Sequence, residues 1–538
     1  MITCWEKFQN LPSDSRSQKL VEELSDVLEV VSEVSEKLYS GFLGWVWDRG
    51  ERMIHSRKLE KAKTWKTWKK AAEKLDSIDG KEDWKKREPC KLYDYKLIKR
   101  RLKLLRRCRQ EEDMEALVHH IRSGLIRGLG GSLNPELYQK CLVGTKQLIL
   151  DYQTEVCNCL KAIVASPNYS PEAKLSFFAD GRYAYGKTAL MLSGGGGLGI
   201  YHLGVTKTLY EQNLLPRIIC GTSAGSFVAA MMATTPYKEI PKWFQRGYIR
   251  YGLFSGLEKG SIYRKIKRFL SRGYLMDIKI LENFVRDNLG DITFKEAFDK
   301  TGIVLNITVS ESSEYTDYRL LNYLTAPHVL IWSAALASSA IPYVFEPVEL
   351  KCKNHKGEIV PYHPPGLKFI DGSIKADLPM QRLSEQFNVN AFIVSQTNAY
   401  AVPFMTPEDG GGQLGETIHF RAYRKIKRLL LIELRTRVQQ LNLLGWCQRL
   451  TRVLNIFTQE YRGTVTVWPI PSIKDYLNIL RNPSDEDIQR CISKGMHRTF
   501  PKMNMLNSIL LIEKCFEDCY LQLCEEMEPT KRTMTIYG

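Results

Sequence analysis

The chain has 538 residues, too many for one compact core, and its 44% hydrophobic and 25% charged content excludes a disordered or fibrous protein. A formal net charge of +17 points to an anionic partner, either nucleic acid or an acidic membrane surface. Thirteen cysteines at irregular spacings, with no CxxC pair, predict reduced and mostly buried thiols rather than a disulfide framework or a zinc site.

The opening MITCWEKFQN contains no apolar core segment, so no secretory leader is expected. Residues 1–185 read as a helical domain. Ser15–Leu38 repeats its apolar residues at helical spacing, and Gly41–Trp47 (GFLGWVW) is a short tryptophan-rich patch suited to a core plug or an interfacial anchor. Lys61–Ala72 sets Trp65 and Trp68 on one face among lysines. Lys96–Arg109 (KLIKRRLKLLRRCR) is the densest charge cluster, with eight basic residues of fourteen and an apolar stripe of Ile98, Leu102, Leu105 and Cys108. Such a helix suits a membrane surface or a partner's acidic groove, or else is the solvated face of an ordinary helical domain. No finger spacing, aromatic RNA-binding signature or helix-turn-helix punctuation accompanies it, so nucleic acid is not an expected partner.

From Thr188 strand-like runs alternate with helical ones. TALMLS, Arg217–Cys220, Ile303–Val309, Leu367–Ile370 and Ala391–Ser395 read as strands, with helices at Leu198–Asn213 and Ala224–Ala233. This predicts an α/β domain over residues 186–398, with a mostly parallel sheet covered by helices on both faces. Residues 399–538 read as a basic, mainly helical region, jointed at Gly410–Gly412 and carrying a second basic amphipathic stretch at Arg424–Val438. The uncharged runs Thr188–Val205, Ile218–Tyr237 and Leu320–Phe345 are broken by glycine, proline and serine, so buried core is expected there rather than a membrane span.

Three groups converge on one chemistry. Ser193–Gly199 (SGGGGLG) follows a strand and opens a helix, so its amides point at one spot beside the positive end of a helix dipole. Gly194, Gly196 and Gly199 also satisfy G-x-G-x-x-G. However, no acidic residue ends a second strand about 20 residues on, as dinucleotide binding requires. In its place stands Gly221-Thr222-Ser223-Ala224-Gly225, a G-x-S-x-G turn that pushes a serine hydroxyl into the open. Gly221 and Gly225 are required because side chains there would strike the adjoining strand or helix. Asp371, before Gly372, closes an apolar strand and is a candidate base, although Asp-Gly is also a common turn. His419 and His497 follow in hydrolase order but lie at no strand end, and His202 suits core packing. A serine beside an anion-binding loop is the arrangement for acyl transfer.

With these groups in this order, the sequence resembles patatin-like serine hydrolases. The resemblance implies a three-layer α/β sandwich, a Ser223–Asp371 dyad without histidine, and an oxyanion hole in the loop Gly194, Gly195, Gly196, Gly197 and Gly199. It implies no metal and no cofactor. Ala335–Val348 (ALASSAIPYVFEPV) is similar to a family segment that packs beside the site. The run before Gly144–Tyr152 and the C-terminal NPSDEDI…GMHRTFPK resemble the flanking parts of yeast and plant triacylglycerol lipases of lipid droplets. Two departures stand out: Leu198 where storage patatins have a basic residue, and Ser373 where Gly or Ala usually follows Asp-Gly. The implied function is a triacylglycerol lipase, cytosol-facing and peripheral on a lipid droplet or endoplasmic reticulum membrane, docked through its basic helices. The alternatives are a phospholipase, a lysophospholipid acyltransferase sharing the acyl-serine, or a catalytically silent lipid-droplet scaffold.

Overall fold

Strand-forming runs around Thr188 and Ile218 are apolar at nearly every position, the pattern of strands buried on both faces. In the computed structural model they lie side by side at the centre of a sheet. Residues 49–249, 270–271, 273–312, 318–362, 366–374, 376–402, 405, 462–479 and 481–536 are described, with a few scattered positions between 426 and 440. Ser15–Leu38, Gly41–Trp47, Gly410–Gly412 and His419 lie outside the described residues, as does most of Arg424–Val438.

The chain divides into two units. The smaller comprises residues 1–62 and 66–80, where helices cover residues 49–60 and most of Trp65–Ile78. There Trp68 is buried with Ala71, Ala72 and Leu75, so it is packed rather than presented. The larger comprises residues 63–65 and 81–538. Neither residue 185 nor residue 398 separates the two.

The N-terminal part of the larger unit includes helices α1 (Tyr95–Gln110), α2 (Gln147–Ala165) and α3 (Pro171–Tyr185). Then come β1 (Lys187–Leu192), α4 (Tyr201–Glu211), β2 (Ile218–Gly221), α5 (Ala224–Thr234), α6 (Ile278–Leu289), β3 (Val304–Glu311) and β4 (Tyr318–Leu321). They are followed by α7 (Ile331–Ser338), β5 (Val348–Glu349), a small hairpin of β6 (Lys351–Lys353) and β7 (Ile359–Pro361), and β8 (Lys368–Asp371). Last are α8 (Met380–Phe387), β9 (Val389–Ser395), β10 (Val465–Val467), α9 (Ile473–Leu477), α10 (Asp485–Thr499) and α11 (Met503–Ile536).

The central sheet runs β10-β9-β1-β2-β3-β8-β5, with β4 also on β3. The five strands from β10 to β3 are parallel, whereas β4 and β8 are antiparallel to β3. On one face Ala189, Met191, Ile218, Cys220 and Val389 pack with Leu383 and Phe387 of α8. The sheet takes β10 from far beyond residue 399, α10 packs on α4, and α11 packs on α2 and α3.

The charged helix α1 buries the expected stripe of Ile98, Leu102, Leu105 and Cys108, but it does so within the fold, where α1 packs on α2. Arg109 pairs with Glu155 of α2 at 2.6 Å, Arg107 with Glu111 at 2.9 Å and Lys99 with Glu88 at 2.6 Å. The apolar face needed for insertion into a membrane is therefore already covered, and exposed Lys96, Arg100 and Lys103 are left for long-range attraction. Among the described residues no helix is long and apolar enough to cross a membrane, and the cysteines are free thiols.

Candidate active site

Ser223 sits between β2 and α5 with φ 52° and ψ −125°, a left-handed conformation that strains any residue with a Cβ. The turn is held from three directions. The Ser223 N–H donates to Ser338 Oγ at 2.9 Å, while Ser338 Oγ donates to the Thr308 carbonyl at 2.7 Å. The Thr222 N–H donates to the Leu192 carbonyl at 3.1 Å, and Thr222 Oγ1 to the Asp377 carbonyl at 2.9 Å. A Cβ on Gly225 would lie 2.1 Å from the Leu192 carbonyl oxygen, which is why the position must be glycine.

Asp371 reaches the same place by register, not by strand direction. Gly221 pairs with Ile307 of β3, and antiparallel β8 sets Asp371 opposite Val309, two residues further on and therefore level with Ser223. The Asp371 carboxylate, 1% exposed, accepts from the Ser373 N–H at 2.8 Å, and the Ser373 and Ser223 side chains also favour its charged form. Burial pushes its carboxyl up to about 6, against the opposing pull of those groups. Ser373, an apparent departure from the family pattern, is thus a partner of Asp371. Gly372 is obligatory, since a Cβ there would lie 2.3 Å from the Thr308 carbonyl oxygen.

The glycine loop packs directly on Ser223: a Cβ on Gly194 would meet Ser223 Cβ at 3.3 Å. Its amides are not equivalent. Gly194 N–H donates to Asp377 Oδ1 at 2.8 Å, and Gly197 N–H to the Ile479 carbonyl at 2.9 Å. Among the described residues the Gly195 and Gly196 amides have no protein acceptor, and they lie where the helical turn leading into α4 begins. The five-glycine loop therefore narrows to two available donors, while Gly199 serves close packing against Ala224.

Asp377 and Ile479 carry no motif in the sequence. Asp377 is 1% exposed, accepts from Asn398 Nδ2 at 3.2 Å and Gln396 Nε2 at 3.4 Å besides Gly194, and burial pushes its carboxyl up to about 6. Its neighbours Ala376 and Leu378 are only half-buried and Lys375 precedes them, so no local pattern marks its role. None marks Ile479 either.

Of the histidines singled out in the sequence, His202 and His497 lie among the described residues, and both have partners elsewhere. His202 is buried beneath the loop, its Nε2–H donating to the Ser193 carbonyl at 2.9 Å and its Nδ1 accepting from Ser395 Oγ at 2.7 Å. Burial pushes the ring down to about 4, so it is neutral and braces the loop. His497 lies within α10 and packs on Phe500.

Beside Ser223 a cavity of about 90 Å³ is walled by Gly196, Leu203, Phe227, Met231, Phe284 and Phe345. Its apolar walls suit an acyl chain entering at the nucleophile. A larger cleft of about 600 Å³ at Ile126, Arg127, Tyr185 and Asn390 shares no residue with this site and holds no nucleophile.

The family model described as "Patatin-like phospholipase" matches residues 190–383, enclosing Ser223, Asp371 and the glycine loop. A "Domain of unknown function (DUF3336)" matches residues 45–182. "Triacylglycerol lipase ptl3" of Schizosaccharomyces pombe is 33% identical over 88% of this chain and 98% of its own length. The chain belongs to the patatin-like family. "Triacylglycerol lipase SDP1L" of Arabidopsis thaliana is 37% identical over 88% of the chain, and "Triacylglycerol lipase 4" of Saccharomyces cerevisiae is 35% identical over 89%. The chain spans 59% of the plant relative and 54% of the budding-yeast one. The solved structure of VipD from Legionella pneumophila overlaps 57% of this chain and 66% of that one at TM-score 0.26 and 16% identity, too loosely to argue from. The patatin-like fold expected from the motifs is thus the fold of this chain, with its mostly parallel sheet and flanking helices.

Proposed function

We propose that the protein is a serine ester hydrolase of acylglycerols, a triacylglycerol lipase, that works at a lipid surface. The observation that carries this is the register that sets Ser223 level with the buried Asp371 carboxyl, whose charged form the Ser223 side chain favours, beside two available glycine amides. Asp371 takes the hydroxyl proton as Ser223 Oγ attacks the ester carbonyl. The Gly195 and Gly196 amides hold the oxyanion, each such donor being worth about 3 kcal/mol at the transition state. The alcohol leaves with the proton from Asp371, and water then cleaves the acyl-serine by the same route. The apolar cavity supports an acyl substrate, and the relatives named triacylglycerol lipases support acylglycerols. Exposed Lys96, Arg100 and Lys103, with the net charge of +17, support peripheral attraction to the anionic surface of a lipid droplet or of the endoplasmic reticulum.

Hydrolysis of emulsified triacylglycerol and of soluble p-nitrophenyl butyrate by Ser223→Ala and Asp371→Asn tests the dyad. Both variants should lose at least about a thousandfold in kcat, in line with loss of a nucleophile or its base. Full turnover by either would refute the assignment.

A further inference from the structure

The short helix α9 is amphipathic in the reverse sense. Asp475 faces inward and is the centre of a polar hub: it accepts from the Ser472 N–H at 2.7 Å, Arg490 Nη1 at 2.9 Å and Tyr201 Oη at 3.1 Å, with Lys494 Nζ at 3.6 Å. These bonds hold its carboxyl far below the usual range, despite the opposing effect of burial. With the polar face turned inward, the apolar face turns out. Ile473 and Leu477, one turn apart, are 80% and 73% exposed, and Ile470 just before the helix is 66% exposed. A helix that buries its carboxylate and shows its aliphatic side chains to water has an apolar environment as its natural counterpart.

The same segment reaches the catalytic loop. Two residues past Leu477, the Ile479 carbonyl accepts from the Gly197 N–H at 2.9 Å, and its side chain lies over Gly196. Gly196 and Gly197 line the acyl cavity. Ile341 and Phe345 line another wall of that cavity, and between them in the sequence Tyr343 is 73% exposed and held at φ 66°, a strained conformation for a non-glycine residue.

We propose that Ile470, Ile473 and Leu477 form the surface that inserts into a phospholipid-coated lipid surface, with Ile479 tying that surface to the glycine loop so that the cavity opens where the lipid lies. This rests on the ester-hydrolase reading above. Lipid is the occupant that fits: the three side chains are purely aliphatic, exposed Lys474 stands between Ile473 and Leu477 to meet a phosphate, and the chain carries +17. The anchored hub makes α9 a fixed platform, because each of its inward bonds must break before the segment lifts.

The test uses the full chain, phosphatidylcholine–phosphatidylserine vesicles for flotation, and two rates: emulsified triacylglycerol and soluble p-nitrophenyl butyrate. Ile473→Asp combined with Leu477→Asp should lower the vesicle-bound fraction and the emulsified rate by about tenfold or more, as expected for withdrawing two aliphatic side chains from lipid. The soluble rate and fluorophosphonate labelling of Ser223 should stay within about twofold. Ile473→Ser with Leu477→Ser, which adds no charge, should give the same split in milder form and separates lost insertion from misfolding or repulsion. Three results would overturn the proposal: wild-type protein that does not float, serine variants that float like wild type, or emulsified and soluble rates that fall in parallel. If wild-type protein floats yet hydrolyses neither ester, the hydrolase reading fails instead, and flotation still decides the surface.

Discussion

As the proposed base, Asp371 pairs a high cost of burial with the need to be ionised, and both consequences are measurable. Its carboxyl is pushed up to about 6, and a base must be unprotonated, so kcat/KM on a soluble ester should rise with pH through about 6 with the slope of one proton. Stability moves the other way. Between the ordinary value of 3.8 and about 6 the folded chain binds the proton more tightly than the unfolded chain does. Folding stability from this group is therefore greatest below that window, falls as pH rises across it, and stays lower above it by about 3 kcal/mol. Asp371→Asn, neutral at every pH, should be inactive yet unfold at a higher temperature than wild type at pH 8, with the gap closing toward pH 4. Thermal unfolding at both pH values checks the sign. Asp377 acts at one remove, through Gly194. Asp377→Ala leaves that amide and the Asn398 and Gln396 side chains without their acceptor, so kcat on a soluble ester should fall about tenfold to a hundredfold with KM unchanged. Asp377→Asn, whose amide oxygen still accepts from Gly194, should recover part of the loss, which a merely bulky or buried role would not predict.

At the level of elements, the decisive piece is the antiparallel strand β8. Alternating strands and helices in the sequence suggest parallel neighbours, and Asp371 at a strand's end reads as lying at the shared carboxyl edge for that reason. It lies there because pairing with β3 sets it opposite Val309, and that register depends on the bare contact of Gly372 with the Thr308 carbonyl. Gly372→Ala should therefore shift the base more than it unfolds the sheet. Activity should fall at least about a hundredfold while circular dichroism keeps its α/β signature, as a 1 Å displacement of a catalytic group allows. Retention of more than half the wild-type rate would show that the register tolerates the added methyl.

For the molecule as a whole, the segment beyond residue 460 is part of the catalytic scaffold. β10 pairs with β9 through Val465–Val467, α10 packs on α4, and α11 packs on α2 and α3. Glu513 of α11 accepts from the Thr188 N–H at 2.9 Å and pairs with buried Arg127 at 2.9 Å, tying the last helix to the first strand. A chain ending at residue 461 loses the edge strand, two helical covers and the Ile479 bond together, and exposes the apolar surfaces they hide. Such a truncation should yield aggregated protein without esterase activity. Soluble, active protein from it would contradict a shared scaffold. The basic composition belongs to this scale too, since α1 uses much of its charge on internal partners and its apolar stripe on α2.

The sequence by itself determined the mostly parallel sheet and singled out Ser223, Asp371 and the glycine loop as candidates, because each rests on local chemistry: small residues where chains approach closely, and apolar runs of strand length. Tertiary structure decided which amides remain available to an oxyanion. Gly194 and Gly197 look like Gly195 and Gly196 in the chain, and differ only because Asp377 and Ile479, distant in sequence, supply acceptors. It also decided which amphipathic helix has its apolar face free. Periodicity marks such a face in α1 and cannot say what covers it, and α9, too short to show a period, turns its aliphatic side chains outward because Asp475 is held within.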